Sequence, residues 1–156
     1  MNEKVIVLDA NGNQISPKSN DLHSIFKNGQ EIIKNFLDGD KYYFSTLKPS
    51  SIPHKLPGVY AIFNSSETLY VGRTKNLRQR LYNNHLMGPL SNARLKKYLI
   101  EDYLCFPNIL TPDDAKAYLR ENCYVQFITV STIIERGKIE GLLSFVLNVK
   151  YMHEEH

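Results

Sequence analysis

The stretch GVYAIFNSSETLYVGRTKNLRQRLYNNHL, residues 58–86, carries the strongest structural pattern in the chain. Its first part, GVYAIFN, is rich in β-branched and aromatic residues, SSE is typical of a turn, and TLYVGRT has strand character again. These segments predict a β-hairpin that places Tyr60 and Tyr70 on one sheet. Asn76, a favourable N-cap residue, then predicts that a helix follows the second strand directly.

Arg80 lies on the apolar face of this predicted helix, together with Leu77 and Leu81. A charged side chain turned toward a sheet costs free energy unless it is paired or borders a cleft, so its position indicates a functional residue. The alternative is an arginine whose aliphatic stem merely covers the edge of the apolar stripe.

Composition is that of a globular domain: 156 residues, of which 42% are hydrophobic and 22% charged, can form one good core. The sequence contains neither an apolar run of membrane-spanning length nor a signal-peptide pattern, and we therefore expect a cytoplasmic protein. The spacing of Cys105 and Cys123 fits neither a metal site nor a disulfide framework, so we expect two buried structural thiols.

Charge is distributed unevenly along the chain, although the net charge is only +3. Residues 73–97 contain no Asp or Glu but include seven cations: Arg73, Lys75, Arg78, Arg80, Arg94, Lys96 and Lys97. A concentrated basic face of this kind favours a polyanionic partner. The alternative is an ordinary solvated helix surface rich in Lys and Arg.

The remaining segments divide the chain into an N-terminal extension, residues 1–56, and a main domain, residues 57–153. For the extension we predict a hairpin around Asn11-Gly12-Asn13, one or two helices, and a proline-rich connector. For the main domain we predict further helices over ARLKKYLIEDYL and TPDDAKAYLREN, a third strand in CYVQFITV, and a last helix in ERGKIEGLLSFVLN. A helical insert at about residues 105–122 lies within this domain.

The order of hairpin, helix, helix, strand and helix resembles the GIY-YIG nuclease family over residues 57–152. Its marks are GVY, YVG, Arg80 ten residues after Tyr70, and a glutamate in a last helix that ends LNVKY. The segment YVGRTKNLRQRL is similar to the excision-repair subgroup. The resemblance implies an α/β (α+β) fold in which a small three-stranded antiparallel sheet is flanked by helices.

The resemblance also implies catalytic roles. Glu140 corresponds to the glutamate that holds one divalent cation, Mg²⁺ or Mn²⁺, with Glu135 as a second choice. Tyr60 corresponds to the tyrosine that helps to deprotonate the attacking water, and Tyr70 to the one that orients water or phosphate. Arg80 corresponds to the arginine that stabilises the transition state.

Further residues are assigned from their positions. His85 lies near the place where family members carry a His or Tyr, and the alternative is a helix-end histidine. Arg73 takes the place of a lysine within reach of the phosphate. The substrate-binding cations are then Arg73, Lys75, Arg78, Arg94, Lys96 and Lys97. One departure from the family pattern stands out: Met152 replaces the usual asparagine after the last helix. Asn148 is a partial substitute for that asparagine.

These features predict a metal-dependent endonuclease that acts on nucleic acid, DNA rather than RNA, without a membrane association. The extension and the insert contain no recognisable DNA-binding motif, so a protein partner could direct the domain to its substrate, as in DNA repair or phage defence. The alternative is a catalytically inactive or partner-activated nucleic-acid-binding module. A plain interaction domain would leave the acid-free basic segment unexplained.

Overall fold

The structure, a computed structural model, describes residues 7–8, 14–15 and 19–152, with side chains described from residue 23 onward. The chain divides into two compact units, Met1–Lys34 and Asn35–His156. In the first unit, strands β1 (Val7–Leu8) and β2 (Gln14–Ile15) pair antiparallel, as the predicted hairpin requires. The Asn11-Gly12-Asn13 turn lies outside the described residues. Helix α1 (Ser19–Leu37) is one continuous helix.

The second unit is built on an antiparallel sheet with the strand order β3-β6-β4-β5. Its strands are β3 (Tyr42–Tyr43), β4 (Gly58–Phe63), β5 (Thr68–Thr74) and β6 (Tyr124–Thr129). The predicted mixed fold and the β4–β5 hairpin are confirmed, and the sheet has a fourth strand in β3. The two tyrosines of β3 pair with the first two residues of β6, and this segment is too short to give a strand pattern in the sequence.

β4 lies between its two neighbours and is buried along its whole length. Tyr60 at its centre is opposite Gly72 of β5 and Phe127 of β6. The surrounding core is aliphatic and aromatic: Phe44, Ile52, Ile62, Leu69, Leu77, Leu81, Leu95, Leu99, Leu119 and Val125. Burial on both faces fixes the position of Tyr60 on a rigid element.

Four helices pack around this sheet in the described part of the second unit: α2 (Gln79–Leu86), α3 (Arg94–Glu101), α4 (Pro112–Asn122) and α5 (Ile133–Val146). The predicted start of α4 is confirmed, because the Thr111 hydroxyl accepts from the Asp114 amide and the Asp114 carboxylate accepts from the Thr111 amide. None of the described helices has the length and apolar character needed to cross a membrane.

The expectation of two buried cysteines is half wrong. Cys123 is buried at the end of α4, and burial raises the pKa of its thiol to about 12. Cys105 is exposed, in the segment between α3 and α4, and its sulfur lies 3.3 Å from Lys150 Nζ. The insert is therefore less tightly packed around Cys105 than the sequence suggested.

Candidate active site

One cleft collects residues from six separate parts of the second unit. It has a volume of about 540 Å³. Its lining comes from β4, β5, α2, α3, α5 and the segment after α5: Tyr60, Tyr70, Val71, Gly72, Arg73, Arg80, Arg94, Gly137, Glu140, Gly141, Ser144, Val149, Tyr151 and Met152. The structure thus brings together the two tyrosines, the arginine and the glutamate that are distant in sequence.

The hydroxyl of Tyr60 is the centre of a buried hydrogen-bond network. It lies 2.7 Å from Nε2 of His85, and it accepts a hydrogen bond of 3.0 Å from Nε of Arg80. Nη1 of Arg80 donates to the carbonyl of Asn92 at 3.0 Å, so two guanidinium nitrogens are fixed. The ring of Tyr70 lies 6.3 Å from the ring of Tyr60 and 5.5 Å from that of His85.

The irregular geometry of α2 explains why His85 reaches Tyr60. In an α-helix of 3.6 residues per turn, a residue five positions after Arg80 would lie on a different face. Here α2 is a π-helix, and the amide of Met87 donates to the carbonyl of Tyr82, five residues earlier. The wider turn carries His85 onto the face of Arg80.

Burial controls the protonation of this network. Complete burial raises the pKa of Tyr60 above its usual value, and the nearby Arg80 only partly opposes the shift. Burial also lowers the pKa of His85 well below its usual value, with Arg80 and Lys96 adding to the effect. At neutral pH the protein therefore holds a neutral phenol beside a neutral imidazole.

Gly72 leaves the space that the Tyr60 hydroxyl occupies. A Cβ atom at this position would lie 2.5 Å from the hydroxyl oxygen and 3.0 Å from the ring of Tyr70. Since Gly72 pairs directly with Tyr60 across β4 and β5, any side chain here would push the phenol out of place. The glycine of the YVG motif therefore allows the Tyr60 hydroxyl to lie close to the backbone of β5.

Glu140 on α5 faces the cleft and is held by Arg73 of β5. Nε of Arg73 lies 3.1 Å from Oε2 of Glu140. Burial raises the pKa of Glu140, and the positive charge of Arg73 opposes that shift. Gly137, one turn earlier on α5, makes room for the arginine, because a Cβ there would lie 2.3 Å from Arg73 Nη1.

The donor set fits a hard divalent cation held by one protein carboxylate. Mg²⁺ and Mn²⁺ prefer oxygen ligands, and Mg²⁺ is often held by one or two carboxylates with water and substrate phosphate completing the shell. Glu140 supplies such a carboxylate in a cleft open to solvent. Among the described residues no group of three or more His, Cys, Asp or Glu could hold a metal by itself. Glu135 is exposed and does not line the cleft.

The predicted substrate-binding cations separate into three groups. Arg73 and Arg94 line the cleft. Lys75 and Lys97 are exposed, and Lys97 forms an ion pair of 3.6 Å with Glu101 on the same helix. The other two are used by the fold: Arg78 Nε donates to the carbonyl of Ile52 at 2.7 Å, and Lys96 is buried.

Lys96, assigned from the sequence to the substrate-binding cations, is buried in the structure. Its side chain is 2% exposed, and Nζ donates to the carbonyls of Leu86 at 2.9 Å and Gly88 at 2.8 Å. These carbonyls lie at and beyond the end of the π-helix, where backbone acceptors lack helical partners. Lys96 therefore connects α3 to α2 and is not free to reach a phosphate.

Sequence reasoning missed the contribution of the segment that follows α5. The amides of Lys150 and Tyr151 donate to the carbonyls of Thr68 and Leu69, which attaches the segment beside β5. Tyr151 lines the cleft and donates its hydroxyl to Asp102 at 2.7 Å. Met152 also lines the cleft, whereas Asn148, the expected substitute, is exposed and does not. The LNVKY ending was the signal for this segment.

Comparison with protein families agrees with this geometry. Residues 56–126 match the family model described as the GIY-YIG catalytic domain. No curated protein and no solved structure matches the chain significantly. The match covers β4, β5, α2, α3, α4 and the start of β6, and it does not distinguish the excision-repair subgroup. The chain therefore carries a GIY-YIG catalytic domain, and the enzymes of this family are nucleases that generally use divalent metals.

Proposed function

We propose that the protein is an endonuclease that hydrolyses phosphodiester bonds in DNA, using one Mg²⁺ or Mn²⁺ held by Glu140. The observation that supports it best is the Tyr60 hydroxyl, which contacts both Arg80 and His85 and borders the same cleft as Glu140. When bound, the cation supplies Lewis-acid polarisation of the phosphate and of water.

Tyr60 serves as the base that receives a proton from the attacking water. The raised pKa keeps the proton on the phenol in the resting protein, and burial disfavours a charged His85, so base action begins when the phenol proton passes to solvent. Arg80 then donates to the phenolate oxygen. Tyr70, whose ring contacts His85, orients the water or the phosphate.

Arg80 stabilises the charge that develops on the phosphate. Water attacks phosphorus in line and gives its proton to Tyr60, the opposite P–O ester bond breaks, and the leaving oxygen takes a proton from solvent. Because Tyr60 and Asn92 fix two nitrogens of the guanidinium, its orientation is set before the substrate arrives. A preorganised donor of this kind loses little free energy to reorganisation during the reaction.

The basic residues of the cleft and its surroundings bind the backbone of the nucleic acid. Arg73 and Arg94 act inside the cleft, and Lys75 and Lys97 act from the exposed surface. The sequence divides the chain into an extension, residues 1–56, and the nuclease domain at 57–153, and residues 35–56 of that extension pack within the second compact unit. We include this division in the proposal. We also propose that the domain is similar to excision-repair nucleases and that it acts with a protein partner in DNA repair or phage defence.

Cleavage of several substrates tests the proposal directly. Supercoiled plasmid, single-stranded DNA, branched DNA and RNA would be incubated with Mg²⁺ or Mn²⁺ and with each variant. DNA cleavage should disappear in Glu140→Gln and in Arg80→Ala, and it should persist in the control Glu121→Gln, an exposed carboxylate on α4. Salt-sensitive DNA binding without cleavage of any substrate would instead identify an inactive or partner-activated binding module.

A further inference from the structure

Arg73 and Glu140 form an ion pair inside the cleft. Glu140 is the only carboxylate among the described residues that line the cleft, whereas Arg73, Arg80 and Arg94 are all cations. Nε of Arg73 is 3.1 Å from Oε2 of Glu140, a distance typical of a direct charge-assisted contact. The carboxylate that would hold the divalent cation is therefore already neutralised by the protein.

The pair is built into the fold. Arg73 is fixed on β5 by pairing with Val59, and Glu140 is one turn beyond Gly137 on α5. The missing side chain of Gly137 provides the notch in which the guanidinium lies, since a Cβ there would be 2.3 Å from Nη1. Both side chains keep access to solvent, at 46% exposed for Arg73 and 31% for Glu140, so the pair can open without unfolding.

A divalent cation on Glu140 and the guanidinium of Arg73 would repel each other at this distance. A substrate phosphate removes the conflict, because it offers Arg73 another anion in the same cleft. We infer that Arg73 couples the two binding events: it pairs with Glu140 in the free protein and transfers to a substrate phosphate, which releases the carboxylate for the metal. This inference rests on the metal site of the proposed function.

The coupling has a quantitative consequence. Nucleic acid should raise the affinity for metal, and by thermodynamic linkage metal should raise the affinity for nucleic acid by the same factor. Couplings of this type are commonly on the order of tenfold. In Arg73→Gln the repulsion between the guanidinium and the cation is absent, so metal should bind more tightly to the free protein, and the coupling should fall to the part that a phosphate ligand on the metal supplies by itself.

Mn²⁺ binding measured by electron paramagnetic resonance provides a test that needs no turnover. The probe is a short DNA duplex with phosphorothioate linkages, which keeps the backbone charge and resists hydrolysis. For the unchanged protein we expect Mn²⁺ to bind about tenfold more tightly with the duplex than without it. Anisotropy of a labelled duplex should show the same factor on addition of Mn²⁺.

Two variants make the outcome decisive. Arg94→Gln removes a cleft cation that makes no ion pair in the described part of the chain, so the duplex should bind less tightly while the coupling factor persists. Equal Mn²⁺ affinities of the unchanged protein and Arg73→Gln in the absence of duplex, or a coupling factor that is undiminished in Arg73→Gln, would overturn the inference. Glu140→Gln separates this from failure of the metal site: unaltered Mn²⁺ binding in that variant would remove the proposed site itself.

Discussion

Nε2 of His85 lies 2.7 Å from the hydroxyl of Tyr60, and both side chains are completely buried. The residues are 25 positions apart and meet because α2 is a π-helix. Nδ1 of His85 has no hydrogen-bond partner in the described part of the chain. The imidazole is thus held by one strong contact in a place that disfavours its charged form.

The first prediction concerns stability at mildly acidic pH. Because burial lowers the pKa of His85, this side chain is protonated in the unfolded chain below about pH 6.5 but not in the folded chain. The free energy of unfolding should therefore fall as the pH drops, by about 1.4 kcal/mol per pH unit, until the folded pKa is reached. Urea unfolding of the protein and of His85→Gln at several pH values measures the difference, which would be constant if the histidine titrated normally.

The second prediction concerns the shape of Arg80. Arg80→Lys keeps the charge but loses the planar donors that contact Tyr60 and Asn92. We expect kcat to fall by about 10²- to 10³-fold, the cost of removing a preorganised transition-state donor. Arg94→Lys, in the same cleft, should change KM more than kcat. Equal effects of the two substitutions on kcat would contradict the special role of Arg80.

The third prediction concerns the short distance between Gly72 and the Tyr60 hydroxyl. Gly72→Ala places a methyl group 2.5 Å from the Tyr60 hydroxyl, so cleavage should be lost and the protein destabilised. Part of that destabilisation should disappear when the hydroxyl is removed in Tyr60→Phe. Thermal unfolding of both single variants and the double variant gives the coupling energy, and strictly additive effects would show that the clash is elsewhere.

The fourth prediction distinguishes two adjacent lysines. Lys96→Met leaves the carbonyls of Leu86 and Gly88 without their buried donor, at a cost of about 1–3 kcal/mol in the free energy of unfolding. Lys97→Met removes an exposed ion pair and should cost less than about 0.5 kcal/mol. In a DNA-binding assay under conditions where both variants are folded, only Lys97→Met should reduce the salt dependence of binding.

The sequence was informative wherever local chemistry decides the structure. The β4–β5 hairpin followed from strand and turn residues, and α4 followed from Thr111, Pro112 and Asp114, because these residues satisfy their own backbone groups. The meeting of Tyr60, Tyr70, Arg80 and Glu140 in one cleft followed from the family resemblance, since no local pattern joins β4 to α5.

Contacts that depend on the third dimension could not be predicted from local patterns. The π-helical turn that aligns His85 with Arg80 has no simple composition signal. Lys96 and Arg78 look like ordinary surface cations until the backbone carbonyls that they cap are located. The ion pair between Arg73 and Glu140 lies beside Gly137, and this proximity depends on the packing of α5 on β5.

The segment at Lys150 and Tyr151, hydrogen-bonded beside β5, is also the last part of the cleft to be synthesised. During synthesis, Tyr60, Tyr70 and Arg80 emerge from the ribosome before Glu140, Tyr151 and Met152. A nascent or truncated chain that stops before α5 keeps both tyrosines but lacks the carboxylate and the wall formed by the last segment. The lining of the cleft is therefore complete only once synthesis has passed residue 152.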